Sequence, residues 1–153
     1  MSGLLLIAHA PLATALKQVA EHTFPHCSLQ LSVLDVTPDM TADDVEASAR
    51  ALIAASGHLQ TLVLTDVFGA TPTNAALRLQ GEQVKVLTGV NVPMLWRSLC
   101  YAGEGLDALI QRASLGGTQG IMFEPAAGAC APPTGGCASA PPPATSSSNY
   151  PPR

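Results

Sequence analysis

The sequence predicts a doubly wound α/β domain: a mostly parallel sheet of about four strands plus a short C-terminal strand, with helices on both faces. Three observations carry this. Short apolar runs alternate with segments of helical period, the mark of a parallel sheet covered by helices. The first run, Gly3 to Ala8, is apolar throughout, as a strand buried on both faces should be. Helix-start residues then recur between runs, at Thr41, Thr71-Pro72 and Asn91 with Pro93.

In order, Gly3 to Ala8 is the first strand. Leu12, Leu16, Val19 and Ala20 recur at helical spacing and place a helix over about Pro11 to His22. Leu29 to Val36 alternates and reads as the second strand. Thr41 offers a cap, Asp43 and Asp44 suit the positive end of the helix dipole, and Val45, Ala49, Leu52 and Ile53 form one face of a helix ending near Gly57. Thr61 to Thr65 is the third strand. Thr71 reads as an N-cap with proline at the first helical position, opening a helix to about Leu79. Val84 to Leu87 is the fourth strand, and Asn91 with Pro93 repeats the device before a helix to about Tyr101. A further helix covers Leu106 to Ala113, and Thr118 to Phe123 reads as a last short strand.

From Ala126 the composition shifts to Pro, Ala, Gly, Ser and Thr. Such a segment buries too little apolar surface to offset its ordering entropy. The division is therefore a domain over 1–125 and a flexible tail over 126–153, the latter holding Cys130 and Cys137. The 153 residues leave little room for a second domain, and 47% hydrophobic content supports a sizeable core.

Seven basic against eleven acidic side chains, and only one Trp, two Tyr and three Phe, give neither the electrostatic footprint nor the stacking platforms of a nucleic-acid binder. No apolar run approaches the roughly 18 residues of a membrane span. Leu4-Leu5-Leu6-Ile7 followed by Ala13-Thr14-Ala15 imitates an export signal, but no Lys or Arg precedes the run and His9 follows closely. Cys27, Cys100, Cys130 and Cys137 show no C-x-x-C spacing, so a reducing cytoplasm is expected. His22 and His26 are four apart, but Pro25 interrupts the helix between them. His58 reads as a solvated residue. No metal and no cofactor are expected.

In open α/β sheets the ligand crevice lies beyond the carboxyl ends of the strands, where the strand order reverses. With the first strand central, between the second and third, that crevice opens where His9 and Asp66 stand. A helix start just after His9, and the loop Val67-Phe68-Gly69-Ala70-Thr71 leading into another, would bring positive dipole ends near the ring. The carboxylate of Asp66 would take the proton on one ring nitrogen and leave the other as a nucleophile. Position alone also allows His9 to be a satisfied polar residue and Asp66 a turn residue. Thr71, Asn91 and Pro93 are helix-start residues first.

The segments Leu5-Leu6-Ile7-Ala8-His9, Leu64 through Ala76 and Thr88 through Leu95 together resemble three signature blocks of one family, in order and over about residues 2 to 125. It is the enzyme IIA component, mannose/fructose/sorbose type, of the bacterial sugar phosphotransferase system. The resemblance implies a cytoplasmic phosphocarrier that takes a phosphoryl group from phospho-HPr onto Nε2 of His9 and passes it to a IIB-type partner or uses it for regulation. Asp66 would orient the ring, with Ala10, Phe68, Gly69, Thr71, Asn91 and Pro93 contacting phosphate or partner. A homodimer is implied, with Thr118 to Phe123 exchanged between subunits. Members usually carry Thr or Ser before the histidine and Gly after it, where this chain has Ala8 and Ala10. A lost hydroxyl there would bear on transfer rate.

Two other readings compete. The phosphotransfer subunit of a dihydroxyacetone kinase shares the fold and a histidine at the end of the first strand, but Asp66-Val67-Phe68-Gly69-Ala70-Thr71-Pro72 favours the sugar-system branch. A receiver-like signalling module would be phosphorylated on Asp66 with magnesium, yet it needs a carboxylate pair where this chain has Ala8-His9-Ala10. No G-x-G-x-x-G follows the first strand, which disfavours a dinucleotide site.

Overall fold

A computed structural model of the protein describes residues 1–123; the segment 126–153 lies outside them. The order of elements is β1 (Gly3–His9), α1 (Leu12–Thr23), a 3-10 turn (Ser28–Gln30), β2 (Leu31–Val36), α2 (Ala42–Ser56), β3 (Thr61–Thr65), α3 (Thr71–Leu77), β4 (Val84–Thr88), α4 (Val92–Tyr101) and α5 (Leu106–Gln119). The four strands form one parallel sheet in the order β2-β1-β3-β4. The predicted central position of the first strand is therefore what the chain adopts.

Alternation along β1 sends successive side chains to opposite faces, and each face has its own core. Leu4, Leu6 and Ala8 join Leu62 and Leu64 beneath α1, α4 and α5. Leu5, Ile7 and Val63 pack against Val45 and Ala49 of α2 and Ala75 and Ala76 of α3. Fully burying a leucine or isoleucine contributes about 1.5–3 kcal/mol, so the β1 run anchors both layers at once. His9 is the first exposed residue of that strand.

Two of the three expected caps form. Thr41 accepts the Asp44 N–H while the Asp44 carboxylate accepts from the Thr41 N–H, a reciprocal capping box. Asn91 Oδ1 accepts the Met94 N–H, with Pro93 in the first turn of α4. At α3 the expectation fails by one residue: Ala70 is the N-cap, without a side-chain bond, and Thr71 begins the helix. Leu29 also falls outside the strand expected to start there, because it sits exposed in the 3-10 turn and pairing begins at Leu31.

The C-terminal strand expected over Thr118 to Phe123 is a correction. Thr118 and Gln119 complete α5, and residues 121–123 have no strand conformation. The reason is local packing. A Cβ on Gly116 would overlap Arg97 Cγ, and one on Gly117 would lie 2.8 Å from Met94 Cε, so bare glycines let α5 run on in close contact with α4. Helix propensity argues for a stop near Ala113; the close approach overrides it.

Candidate functional site

Beyond Ile7↔Thr65, β1 and β3 cease to pair and the chains part. Into that fork Asp66 inserts its carboxylate. Its Oδ2 accepts the His9 backbone N–H at 2.9 Å, and the same oxygen lies 2.6 Å from His9 Nδ1. Its Oδ1 accepts the Val67 N–H at 2.8 Å. The side chain therefore continues with His9 the hydrogen bonding that the β1/β3 ladder no longer provides, and on the other side of the strand the Ala10 N–H donates to the Val36 carbonyl.

The electrostatics follow from those contacts. Burial works to raise the pKa of Asp66, but the His9 backbone N–H, the His9 ring and the Val67 N–H outweigh it, leaving the carboxyl below its ordinary value. An ionised carboxylate only accepts, so Nδ1 is the nitrogen that carries a proton to it, and the tautomer this selects has its lone pair on Nε2. The Asp66 side chain is only 11% exposed, whereas the His9 side chain is 52% exposed. The carboxylate is sheltered and the ring against it faces outward.

The loop after Asp66 is built by α3. Thr73 Oγ1 donates to the Val67 carbonyl at 2.7 Å, and Asn74 Nδ2 donates to the Gly69 carbonyl at 3.2 Å. Gly69 has φ +88° with open space where a Cβ would stand, so its requirement is conformational rather than steric. Val67 and Phe68 project into solvent, Phe68 at 74% exposure. Thr71 is half-buried at the start of α3.

The remaining expected residues divide. Ala10 is exposed directly after His9. Asn91 stands in the neighbouring loop, which is tied in by Val90 N–H to the Thr65 carbonyl, but its amide is engaged: Oδ1 caps α4 and Nδ2 donates to the Gly117 carbonyl at 3.0 Å. Pro93 is half-buried between α4 and α5, where a Cβ on Gly120 would overlap it. At the start of α1 the Thr14 N–H at 3.2 Å and the Thr14 hydroxyl both donate to the Asp35 carboxylate. That helix end already holds an anion. Among the described residues no three His, Cys, Asp or Glu side chains cluster as metal ligands, and no helix is long and apolar enough to cross a membrane.

With this geometry in view, the comparisons with known proteins are specific. The family model for the PTS system fructose IIA component, EIIA-man, matches residues 3–113. The chain belongs to this family. Its fold matches the EIIA component of the phosphotransferase system from Streptococcus agalactiae, with a TM-score of 0.73, 23% identity, and coverage of 80% of this chain and 97% of that one. It also matches the mannose/sorbose specific IIA subunit from Enterococcus faecalis, with a TM-score of 0.74, 22% identity, and coverage of 80% and 94%. A third similar structure is the PTS IIA protein associated with the fucose utilization operon of Streptococcus pneumoniae, with a TM-score of 0.60, 21% identity, and coverage of 80% and 96%. No curated protein matches. As a member of the IIA family the chain is a phosphotransferase-type component of sugar phosphotransfer.

Sequence reasoning gave no role to Thr65, Thr73, Asn74, Asp35 or Thr14. One signal was present for Asp35, a lone acid in the otherwise uncharged strand Leu31–Val36, which must find a partner if half-buried. The threonines carried none, because their pairing depends on how α3 returns across β3.

Proposed function

We propose that this IIA-family protein is a phosphocarrier whose His9 Nε2 accepts a phosphoryl group from phospho-HPr and passes it to a IIB-type partner. The observation that carries this reading is the His9 Nδ1 to Asp66 Oδ2 contact of 2.6 Å on a ring half in solvent. The bond from phosphorus to the donor's nitrogen breaks as the bond to Nε2 forms. The Nδ1 proton stays in place, hydrogen-bonded to Asp66 while positive charge develops on the ring. Phosphoryl transfer passes through a loose transition state, so the protein mainly places the nucleophile in line. The exposed ring and the projecting Val67 and Phe68 suit direct approach by a partner's phosphorylated side chain. The Thr71 hydroxyl and the Gly69-Ala70 backbone are the groups we assign to the incoming phosphate.

The reading includes a homodimer. The edge strand β4 is half-buried along its length, and Ile121 and Met122 are exposed apolar residues. The receiver-like alternative is not retained, because it needs a free Asp66 carboxylate and that group already accepts three hydrogen bonds. The family match also supports the sugar system over the dihydroxyacetone kinase subunit.

Incubation with phosphoenolpyruvate, enzyme I and HPr should label the protein once, in an acid-labile and alkali-stable form. His9→Ala should abolish the label and leave the circular dichroism spectrum unchanged, since that side chain is 52% exposed. Undiminished labelling of that variant, or a hydroxylamine-sensitive label on Asp66, would overturn the proposal.

A further inference from the structure

We propose that Thr73, with Thr65 behind it, is a positioning residue for the His9–Asp66 pair; this rests on the phosphocarrier reading for its kinetic consequence but not for its structural one. Val67 is the link. Its N–H donates to Asp66 Oδ1 at 2.8 Å and its carbonyl accepts from Thr73 Oγ1 at 2.7 Å, so the residue is held at both ends by hydrogen bonds. Val67 is 52% exposed and contributes little packing of its own. What fixes the Val67 backbone is therefore polar, and whatever fixes Val67 also fixes one oxygen of the carboxylate that steers His9.

The direction of the relay is forced. Thr65 Oγ1 and Thr73 Oγ1 are 2.8 Å apart, and both residues are fully buried. A carbonyl cannot donate, so the single Thr73 proton goes to Val67, and Thr65 must donate to Thr73. The Thr65–Thr73 link is closed to water, where one hydrogen bond polarises the next. Thr65 is the last residue of β3 and Thr73 lies in the first turn of α3, so the relay ties the loop between them to rigid elements at both ends. Asn74 pins the Gly69 carbonyl in the same loop. The order of contacts runs from the buried Thr65 and Thr73 through Val67 and Asp66 to His9 Nδ1.

Thr73→Val keeps the shape and removes the hydroxyl, Thr73→Ser keeps the hydroxyl, and the double variant Thr65→Val with Thr73→Val removes both hydroxyls so that neither is stranded if the single variant folds poorly. Two measurements are made on each full-length protein. The first, by NMR, records the His9 ring-nitrogen shifts and the Nδ1 proton resonance without any phosphate present. The second is the rate of phosphoryl transfer from phospho-HPr. Both valine variants should move the His9 resonances and slow transfer by about fivefold, the scale of one neutral hydrogen bond, whereas Thr73→Ser should match the parent in both. Unmoved His9 resonances in either folded valine variant would refute the positioning role. Loss of stability in Thr73→Ser equal to that in Thr73→Val would do the same, by reducing the threonine to packing. Moved resonances in a protein that takes no phosphate from HPr would leave the relay standing and overturn the phosphocarrier reading instead.

Discussion

Replacing Asp66 by Asn is the sharpest test of how the ring is steered. Three donors converge on two carboxylate oxygens: the His9 N–H and Nδ1 on Oδ2, and the Val67 N–H on Oδ1. An amide has one oxygen. With that oxygen at the Oδ2 position the NH2 group faces the Val67 N–H, and in the other orientation it faces both His9 donors; one donor is set against another either way. The surviving bonds also lose their charge. Hydrogen bonds to charged groups contribute about 1.5–3 kcal/mol and neutral ones about 0.5–1.5, so the ring contact weakens by roughly 1–2 kcal/mol. At about 1.36 kcal/mol per tenfold in rate, transfer to His9 should slow about five- to thirtyfold. Because the ring is half in water, solvent screening favours the lower part of that range. Single-turnover phosphorylation by excess phospho-HPr, quenched on the millisecond scale, measures it. A rate within twofold of the parent, in a variant with an unchanged circular dichroism spectrum, would refute the steering role.

Two further outcomes are expected from the packing of α5 and the charge of Asp66. Gly116→Ala should lower the melting temperature, because the new Cβ would overlap Arg97 Cγ and stand 2.8 Å from Arg97 Cβ; overpacking of this kind costs about 1–3 kcal/mol, and calorimetry showing an unchanged or raised value would discount the close α4/α5 approach. The pH dependence has a definite sign. The Asp66 carboxyl lies below its ordinary value of 3.8 in the folded protein, so its ionised form contributes stability that is fully present above the ordinary carboxylate range and is lost as pH falls through the depressed folded value. Urea midpoints of the parent and Asp66→Asn, compared from about pH 5 downward, should converge only below that ordinary value, and convergence already complete above it would contradict the shift.

Much of this was legible in the sequence because the signals were local. The unbroken apolar run of β1 required burial on both faces, and the sheet order β2-β1-β3-β4 provides it. Thr41 with Asp44, and Asn91 with the following Pro93, carried their own cap geometry. From the strand order alone the crevice fell between His9 and Asp66, the pair that meets at 2.6 Å. What was not legible depends on contacts between distant segments. The length of α5 is set by how closely Gly116 and Gly117 approach α4. The partner of Thr73 is chosen by the return of α3 over β3, and the anion at the start of α1 comes from β2.

The departure at Ala8 takes on a different weight once the strand is seen. The family resemblance read from the sequence implies a hydroxyl at this position, whose loss would bear on transfer rate. Ala8 is fully buried in the core on the α1 side and pairs in register with Asp35, and adjacent residues of an extended strand point to opposite faces. A hydroxyl at this position would enter the α1 side of the sheet, away from the face to which alternation directs His9, and would need a hydrogen-bond partner in a site closed to water. The acidic residue alongside it, Asp35, instead takes the hydroxyl and N–H of Thr14. A hydroxyl at position 8 would therefore meet the Asp35–Thr14 contact between β2 and α1, whereas the orientation of the ring is the role we propose for Asp66 and for the buried threonines behind its loop.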